Sequence, residues 1–164
     1  MKWTDTGDMP CSVARTLAVI GDRWTLLILR NAFMRMRRFE DFQTNLGLTR
    51  HLLTSRLKRL VAEGILDRVP YQQAPVRCEY VLTAKGKELH AVLMALAHWG
   101  DSWMDEGRGA PLLYQHKACG CVMTPVMACS ECQAPLSASQ VIPLPGPGLA
   151  KRATAARRRR SSAV

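Results

Sequence analysis

Apolar residues recur at helical spacing in three parts of the chain. The first part, around Val13, Leu17 and Ile20, predicts an amphipathic helix. The second is the nearly continuous apolar run from Trp24 to Phe33, which predicts a buried core helix with Asp22 as its N-cap. The third predicts a final helix whose apolar stripe consists of Leu89, Val92, Leu93, Leu96, Trp99 and Trp103. This last stripe is wider than one small domain can cover.

A polar and basic stretch between the core helix and the final helix predicts two more helices. Gly47 can adopt the positive φ that ends a short helix, whose apolar positions are Phe39, Phe42, Leu46 and Leu48. Thr49 is a suitable N-cap for the next helix, which extends to Glu63. One side of that helix is apolar and consists of Leu53, Leu57, Leu60 and Val61. Its other side is mainly basic or polar and consists of His51, Leu52, Ser55, Arg56, Lys58 and Arg59.

A hairpin is predicted directly after the basic helix. Gly64 ends the helix, residues 65–71 and 77–82 have strand composition, and the Pro-containing loop 72–76 joins them. Two helices joined by a tight turn and followed by such a hairpin form a winged helix-turn-helix, whose second helix enters a DNA groove. The sequence therefore predicts an α+β, mainly helical fold with a terminal dimerisation helix. The alternative is a solvated basic helix on another kind of small α+β domain.

Positive charge is concentrated in the predicted winged helix-turn-helix. Residues 35–77 contain nine Lys or Arg residues and four acidic residues, so a phosphate backbone would meet an excess of cations there. The net charge of +10 exaggerates this basicity, because Lys151, Arg152 and Arg157 to Arg160 lie in the C-terminal tail. The predicted DNA contacts are Thr49, Arg50, His51, Leu52, Ser55, Arg56, Lys58, Arg59, Gln72, Gln73 and Arg77.

The chain resembles the HxlR family of bacterial winged helix-turn-helix transcriptional regulators from about Cys11 to Met104. The resemblance is carried by Cys11, the run from Ala18 to Leu29, and the following shorter matches: Arg38-Phe39, Leu53-Thr54, Leu57-Lys58, Leu60, Glu63-Gly64, Arg68 and Tyr80-Val81-Leu82-Thr83. It implies a homodimer that binds an inverted-repeat operator in double-stranded DNA, with residues 49–63 as recognition helix. It also places dimer contacts in the first and last helices, where the candidates are Val13, Leu17, Leu93, Leu96, Trp99 and Trp103. The alternative for the two tryptophans is that they complete the core of the monomer.

Cys11 is a candidate sensor residue. It lies just after Pro10 at the start of the first predicted helix, where the helix dipole favours a thiolate. The resemblance extends to redox- and electrophile-sensing regulators with a cysteine at this place, which implies an oxidant or small-molecule effector. The alternative is a half-buried structural cysteine.

A second cluster of chemically active residues lies beyond the winged domain. His116 with Cys119, and Cys129 with Cys132, are two pairs of metal-ligand residues with two residues between the partners, a spacing that suits a structural tetrahedral Zn²⁺ in a small zinc ribbon. An equally admissible set replaces His116 with Cys121. The alternative is a loosely ordered tail in which the cysteines are incidental.

The expected domains are residues 1–107 for DNA binding and dimerisation, 108–142 for the Cys-rich appendage, and 143–164 for a disordered Pro/Gly linker and Arg-rich tail. The chain has no apolar run of membrane-spanning length, and its N-terminus lacks the hydrophobic core of a signal peptide. We therefore expect a cytoplasmic, nucleoid-associated protein without a membrane partner. It also has no Walker loop or nucleophile elbow, which disfavours an enzyme. The remaining alternatives are a zinc-ribbon adaptor for RNA or protein, and a thiol oxidoreductase that uses Cys129 and Cys132.

Overall fold

The computed structural model describes residues 7–149 of the chain. The described residues form two compact units, one of residues 19–125 and one of residues 7–18 together with 126–149. The Arg-rich tail, predicted to be disordered, lies outside the described residues from Ala150 onward. The domain boundaries expected near residues 107 and 142 stay predictions.

The structure is mainly helical with a small hairpin, as the sequence predicted. The named α-helices are α1 Ser12–Ile20, α2 Arg23–Phe33, α3 Phe39–Leu46, α4 Arg50–Ala62, α5 Ala84–Glu88 and α6 His90–Trp103. The four strands of the described residues are β1 Leu66–Gln73, β2 Val76–Leu82, β3 Tyr114–Gln115 and β4 Val122–Met123. None of the described helices combines the length and the apolar content that crossing a bilayer requires.

The core of the unit formed by residues 19–125 lies between α2, α3, α4 and the start of the hairpin. Phe42, Ile28, Leu53 and Leu57 are fully buried in it, and Leu66 at the start of β1 is buried as well. Each such side chain contributes about 1.5–3 kcal/mol through burial. These contacts fix the rotation of α4, so its basic side faces away from the core.

The final apolar stretch divides into two helices rather than the single predicted one. Thr83 caps α5 by accepting a hydrogen bond from the backbone N–H of Gly86 at 3.0 Å. Gly86 is buried because α5 passes very close to the backbone at Ile65, where a Cβ atom on residue 86 would lie 2.2 Å from the carbonyl oxygen. The chain then continues through Leu89 into α6.

The β1–β2 hairpin is longer than predicted, and its loop is shorter. The two strands are antiparallel from Leu66 opposite Leu82 to Gln73 opposite Val76, with an irregularity between Pro70 and Gln72. The glutamines expected in the loop therefore belong to β1. A further contact was not predicted: the backbone N–H of Tyr80 donates to the carbonyl oxygen of Arg37 at 2.8 Å, which attaches the chain before α3 to the hairpin.

Candidate nucleic-acid interface

The ends of α4 are set by the residues that the sequence indicated. Gly47 has a φ of +62° and ends α3, and the hydroxyl of Thr49 accepts a hydrogen bond from the backbone N–H of Leu52 at 3.4 Å. Gly64, with a φ of +65°, follows the helix. The predicted contact residues Arg50, His51, Ser55, Lys58 and Arg59 are exposed, whereas Leu52 is half-buried.

Arg56 does not share the outward position of its neighbours. Its Nε donates to Oδ1 of Asp22 at 2.9 Å, and its Nη2 donates to Oδ2 at 3.2 Å. Residue 56 lies beside the buried Leu57 and Leu53 on the helix, so its side chain is directed toward the start of α2 rather than outward. In the DNA-free structure Arg56 joins α4 to α2, and the DNA contact that we predicted for it stays a prediction.

Asp22 also forms the predicted N-cap of α2, accepting hydrogen bonds from the backbone N–H groups of Trp24 and Thr25 at 3.1 and 3.2 Å. Burial raises the pKa of its carboxyl, but the hydrogen bonds and charge of Arg56 and the two backbone N–H groups outweigh burial. The pKa of Asp22 therefore lies below its ordinary value, and the carboxylate is charged at neutral pH.

A basic groove of about 640 Å³ lies between α4 and the hairpin. We define it by its four cationic residues, Arg50, Lys58, Arg68 and Arg77, and its single acidic residue is Glu40. The excess of positive charge and the open shape suit a phosphate backbone, which binds cations without regard to sequence. The groove thus connects the outward side of the recognition helix with the wing.

Two aromatic rings hold arginines near the groove. The guanidinium of Arg50 lies over the ring of Phe39 with its Cζ 5.0 Å from the ring centroid, and that of Arg38 lies over Tyr71 at 4.9 Å. Such contacts restrict a long side chain and contribute about 0.5–1 kcal/mol at exposed sites. Arg38 was absent from the predicted contacts, because only the tertiary structure brings it to the hairpin.

Arg68 lines the basic groove and was also absent from the predicted contacts, although it flanks the predicted wing. It lies directly opposite Tyr80 in the hairpin. Burial raises the pKa of Tyr80, while the charge of Arg68 acts in the opposite direction, so this phenol is neutral at physiological pH. The two-residue alternation of strand β1 was the signal that could have placed Arg68 on the groove side.

The tip of the wing carries the remaining predicted contacts. Gln73 and Arg77 are exposed, and the side-chain amide of Gln72 donates to the carbonyl oxygen of Ala74 at 3.2 Å. Gln72 is thus engaged in shaping the turn, whereas Gln73 and Arg77 face solvent. Cys78 is half-buried and lines the basic groove.

The candidate dimer residues fall into two groups. Val13 and Leu17 on α1, and Leu96, Trp99 and Trp103 on α6, are exposed, and Trp103 retains 76% of its accessible surface. Leu93 instead packs against the core of the unit formed by residues 19–125. The predicted sensor Cys11 is exposed immediately before α1.

The candidate metal ligands occupy two separate turns. Nδ1 of His116 lies 3.4 Å from Sγ of Cys119, and the thiol of Cys121 donates to the carbonyl oxygen of Cys119 at 3.6 Å. Backbone N–H groups of Cys132 and Glu131, and the side chain of Cys132, lower the pKa of the Cys129 thiol. Within residues 7–149, no three His, Cys, Asp or Glu side chains come together as a ready metal site.

Comparison with known proteins identifies the family of the winged helix-turn-helix domain. The family model described as HxlR-like helix-turn-helix matches residues 19–108. The chain belongs to the HxlR-like helix-turn-helix family. The match includes α2 to α6 and the whole β1–β2 hairpin, so the basic groove lies within the family's shared domain.

Individual relatives agree with this assignment. An uncharacterized HTH-type transcriptional regulator of Mycobacterium tuberculosis is 45% identical over 137 residues, covering 84% of this chain and 87% of that protein. The crystal structure of PA1607, a candidate transcription factor, is 32% identical and covers 87% of this chain and 100% of its own, with a TM-score of 0.77. The redox regulator HypR in its oxidized form is 34% identical and covers 56% of this chain and 96% of its own, with a TM-score of 0.52.

The family and the geometry define the class of activity. The chain is a DNA-binding transcription regulator with an HxlR-like winged helix, and its relatives are regulators rather than enzymes. α4 is the second helix of the helix-turn-helix, the position that a recognition helix takes in this fold, and it carries the outward basic side.

Proposed function

We propose that this HxlR-like regulator binds a palindromic operator as a homodimer, with α4 in the major groove and the hairpin along the adjacent backbone. The basic groove carries this proposal, because its four cations lie on both the helix and the wing. A phosphate backbone that follows the groove would meet Lys58 from one side and Arg77 from the other. The outward residues His51, Ser55 and Arg59 would then face base edges or flanking phosphates.

The exposed stripe of α6 supports the dimer. Val92, Leu96, Trp99 and Trp103 are spaced at three or four residues and lie on one side of the helix, while Leu89 and Leu93 pack inward. Trp99 and Trp103 expose 58% and 76% of their surfaces, which is unusual for two tryptophans so close in sequence. A symmetric operator requires a symmetric protein, so a second copy of the chain is the natural partner for this stripe. Val13 and Leu17 are exposed apolar side chains on α1.

We further propose that Cys11 senses oxidants or electrophiles. Two observations support this: the thiol is exposed at the start of α1, and the similar protein HypR is named a redox regulator. In a disulfide step, two thiols would lose two electrons and two protons to a hydroperoxide, which is reduced to water and an alcohol. The resulting bond at Cys11 would shift α1, and the spacing of the two recognition helices in the dimer would change. Regulation would take place in the cytoplasm, at the nucleoid.

The test is to recover genomic fragments that the purified full chain binds, and to footprint the strongest of them. We expect protected inverted repeats whose half-sites are about 34 Å apart, one turn of DNA. Protection of single, unrepeated sites would contradict the dimeric model. Treating the complex with a hydroperoxide should release DNA from the wild type but not from Cys11→Ser, and an equal response of both proteins would exclude Cys11 as the sensor.

A further inference from the structure

The segment just before α3 is attached to the wing through its backbone. Arg38 pairs with Glu79 of β2 in a single antiparallel bridge. The backbone N–H of the next residue of β2, Tyr80, donates to the carbonyl oxygen of Arg37 at 2.8 Å. Main-chain atoms make these contacts, so a substitution of either arginine side chain leaves them in place. Residues 37 and 38 therefore keep a defined position beside the hairpin.

The side chains of Arg37 and Arg38 share the carboxylate of Glu79. Oε2 of the carboxylate lies 3.7 Å from Nη1 of Arg37, and Oε1 lies 3.6 Å from Nε of Arg38. Nitrogen–oxygen distances of this length are too long for hydrogen bonds, and exposed ion pairs are weak. The carboxylate thus attracts both guanidinium groups without occupying their N–H groups. Two positive charges meet one negative charge, so a net positive charge remains.

Arg38 is also held over an aromatic ring at the rim of the basic groove. Its Cζ lies 4.9 Å from the ring centroid of Tyr71, whereas Arg37 has no such ring contact within residues 7–149. Tyr71 lines the basic groove, and so does Phe39, the residue that follows Arg38. The side chain of Arg38 is 56% exposed, so its guanidinium is accessible from solvent at this rim.

We infer that Arg38 is a further DNA-contact residue, which donates to a backbone phosphate beside the groove while Tyr71 and Glu79 position its guanidinium. This inference rests on the proposed placement of DNA between α4 and the hairpin. A guanidinium that lies over a ring keeps the N–H groups of its edge available, and their planar fork suits a phosphate. The phosphate-binding surface then extends from the groove to the segment before α3.

Arg37 provides a matched comparison within the same structure. It adjoins Arg38 in sequence, faces the same carboxylate and has a similar exposure of 54%, but it lacks the ring contact within the described residues. Arg37 balances the charge of Glu79, and Arg38 supplies the charge that meets the phosphate. Because phosphate contacts position a protein without reading bases, the contribution of Arg38 is the same on an operator and on unrelated DNA.

The experiment measures the affinity of the purified full chain for two duplexes as a function of salt concentration. One duplex is the strongest genomic fragment from the footprinting, and the other has a random sequence of equal length. Arg38→Ala should weaken binding to both and make the slope of log K against log salt shallower by about 0.9 per protomer. Arg38→Lys keeps the charge and should retain the wild-type slope, as should the control Arg37→Ala. Tyr71→Leu should weaken binding roughly two- to fivefold with an unchanged slope, because it removes the ring and leaves the charge.

Arg77→Ala, measured alongside, separates failure of this inference from failure of the proposed function. A shallower slope for Arg77→Ala with a wild-type slope for Arg38→Ala would overturn the inference and leave DNA in the groove. Wild-type slopes for both variants would contradict the placement of DNA itself. Equal changes in Arg37→Ala and Arg38→Ala, or in Arg38→Lys and Arg38→Ala, would also overturn the inference. Circular dichroism of each variant verifies that the winged domain is folded.

Discussion

Arg56 and Asp22 form a two-contact ion pair that joins the recognition helix to the N-terminus of α2, with distances of 2.9 and 3.2 Å. The same carboxylate caps α2 through Trp24 and Thr25. One acidic side chain thus orients two helices, and α4 is held by a charge pair in addition to its buried leucines. The pair is half-buried, so its hydrogen bonds are only partly exposed to competition from water.

Removing the arginine of this pair should destabilise the fold. We expect Arg56→Ala to lower the free energy of unfolding by about 1–3 kcal/mol, because Asp22 loses its charged partner. Lys58→Ala, at an exposed residue of α4, is the matched control and should change stability by less than about 0.5 kcal/mol. Urea unfolding followed by circular dichroism gives both values, and equal effects of the two substitutions would contradict the assigned role of Arg56.

The charge of Asp22 should make stability depend on pH in a defined direction. The pKa of Asp22 is lowered in the folded state. The contribution of its charge to the free energy of unfolding is therefore complete above the unfolded-state pKa of about 3.9, and it disappears as the pH falls through the folded-state pKa. Asp22→Asn keeps a capping side chain and removes the charge. The stability difference between wild type and this variant should be constant from neutral pH to about pH 5 and shrink below about pH 4. A stability difference that grows as the pH falls would show that the pKa of Asp22 is raised, not lowered, in the folded state.

Two helical glycines should respond oppositely to alanine. Gly86→Ala would place a methyl group 2.2 Å from the carbonyl oxygen of Ile65, so we expect a loss of about 1–3 kcal/mol. Gly100 in α6 has no atom within 4 Å of a built Cβ, so Gly100→Ala should increase stability by about 0.5–1 kcal/mol. Chemical denaturation of both variants tests this, and a neutral Gly86→Ala would mean that α5 can move away from Ile65.

The exposed tryptophans should control assembly. Trp103→Glu places a charge in the proposed α6 interface and should weaken dimerisation by roughly 30-fold or more, as expected for a central aromatic residue. Met34→Glu, at an exposed apolar residue at the end of α2, is the control and should leave the dimer intact. Analytical ultracentrifugation over a range of concentrations measures both dissociation constants. A monomeric wild type, or equal dissociation constants for the two variants, would contradict the proposed interface on α6.

The sequence was sufficient for the local part of the fold. Apolar spacing, Gly47 and Thr49 located α3, α4 and their junction, because helix ends depend on neighbouring residues. It was insufficient for contacts between distant segments. Arg56 and Asp22 are 34 residues apart, and nothing in the spacing of α4 distinguishes an arginine that meets Asp22 from one that meets DNA.

In the hairpin and the final helices too, the local features were predicted and the contacts between distant segments were not. The strands were predicted from composition, but their extension to Gln73 and Val76 depends on pairing across the turn. The break between α5 and α6 was missed because it follows from the close approach of Gly86 to Ile65, a tertiary contact. Arg38 was absent from the predicted contacts for a similar reason, because its position over the ring of Tyr71 exists only once the hairpin has folded beside the start of α3.

The most direct test of the central claim is operator affinity measured as a function of salt concentration for wild type, Arg77→Ala and Lys87→Ala. Arg77 lines the basic groove, whereas Lys87 is an exposed cation on α5 outside it. If Arg77 neutralises one phosphate per bound protomer, its removal should weaken binding and make the slope of log K against log salt shallower by about 0.9 per protomer. Lys87→Ala should match the wild type in affinity and slope. Unchanged binding by Arg77→Ala, or an equal loss of affinity in both variants, would contradict the placement of DNA in the groove between α4 and the wing.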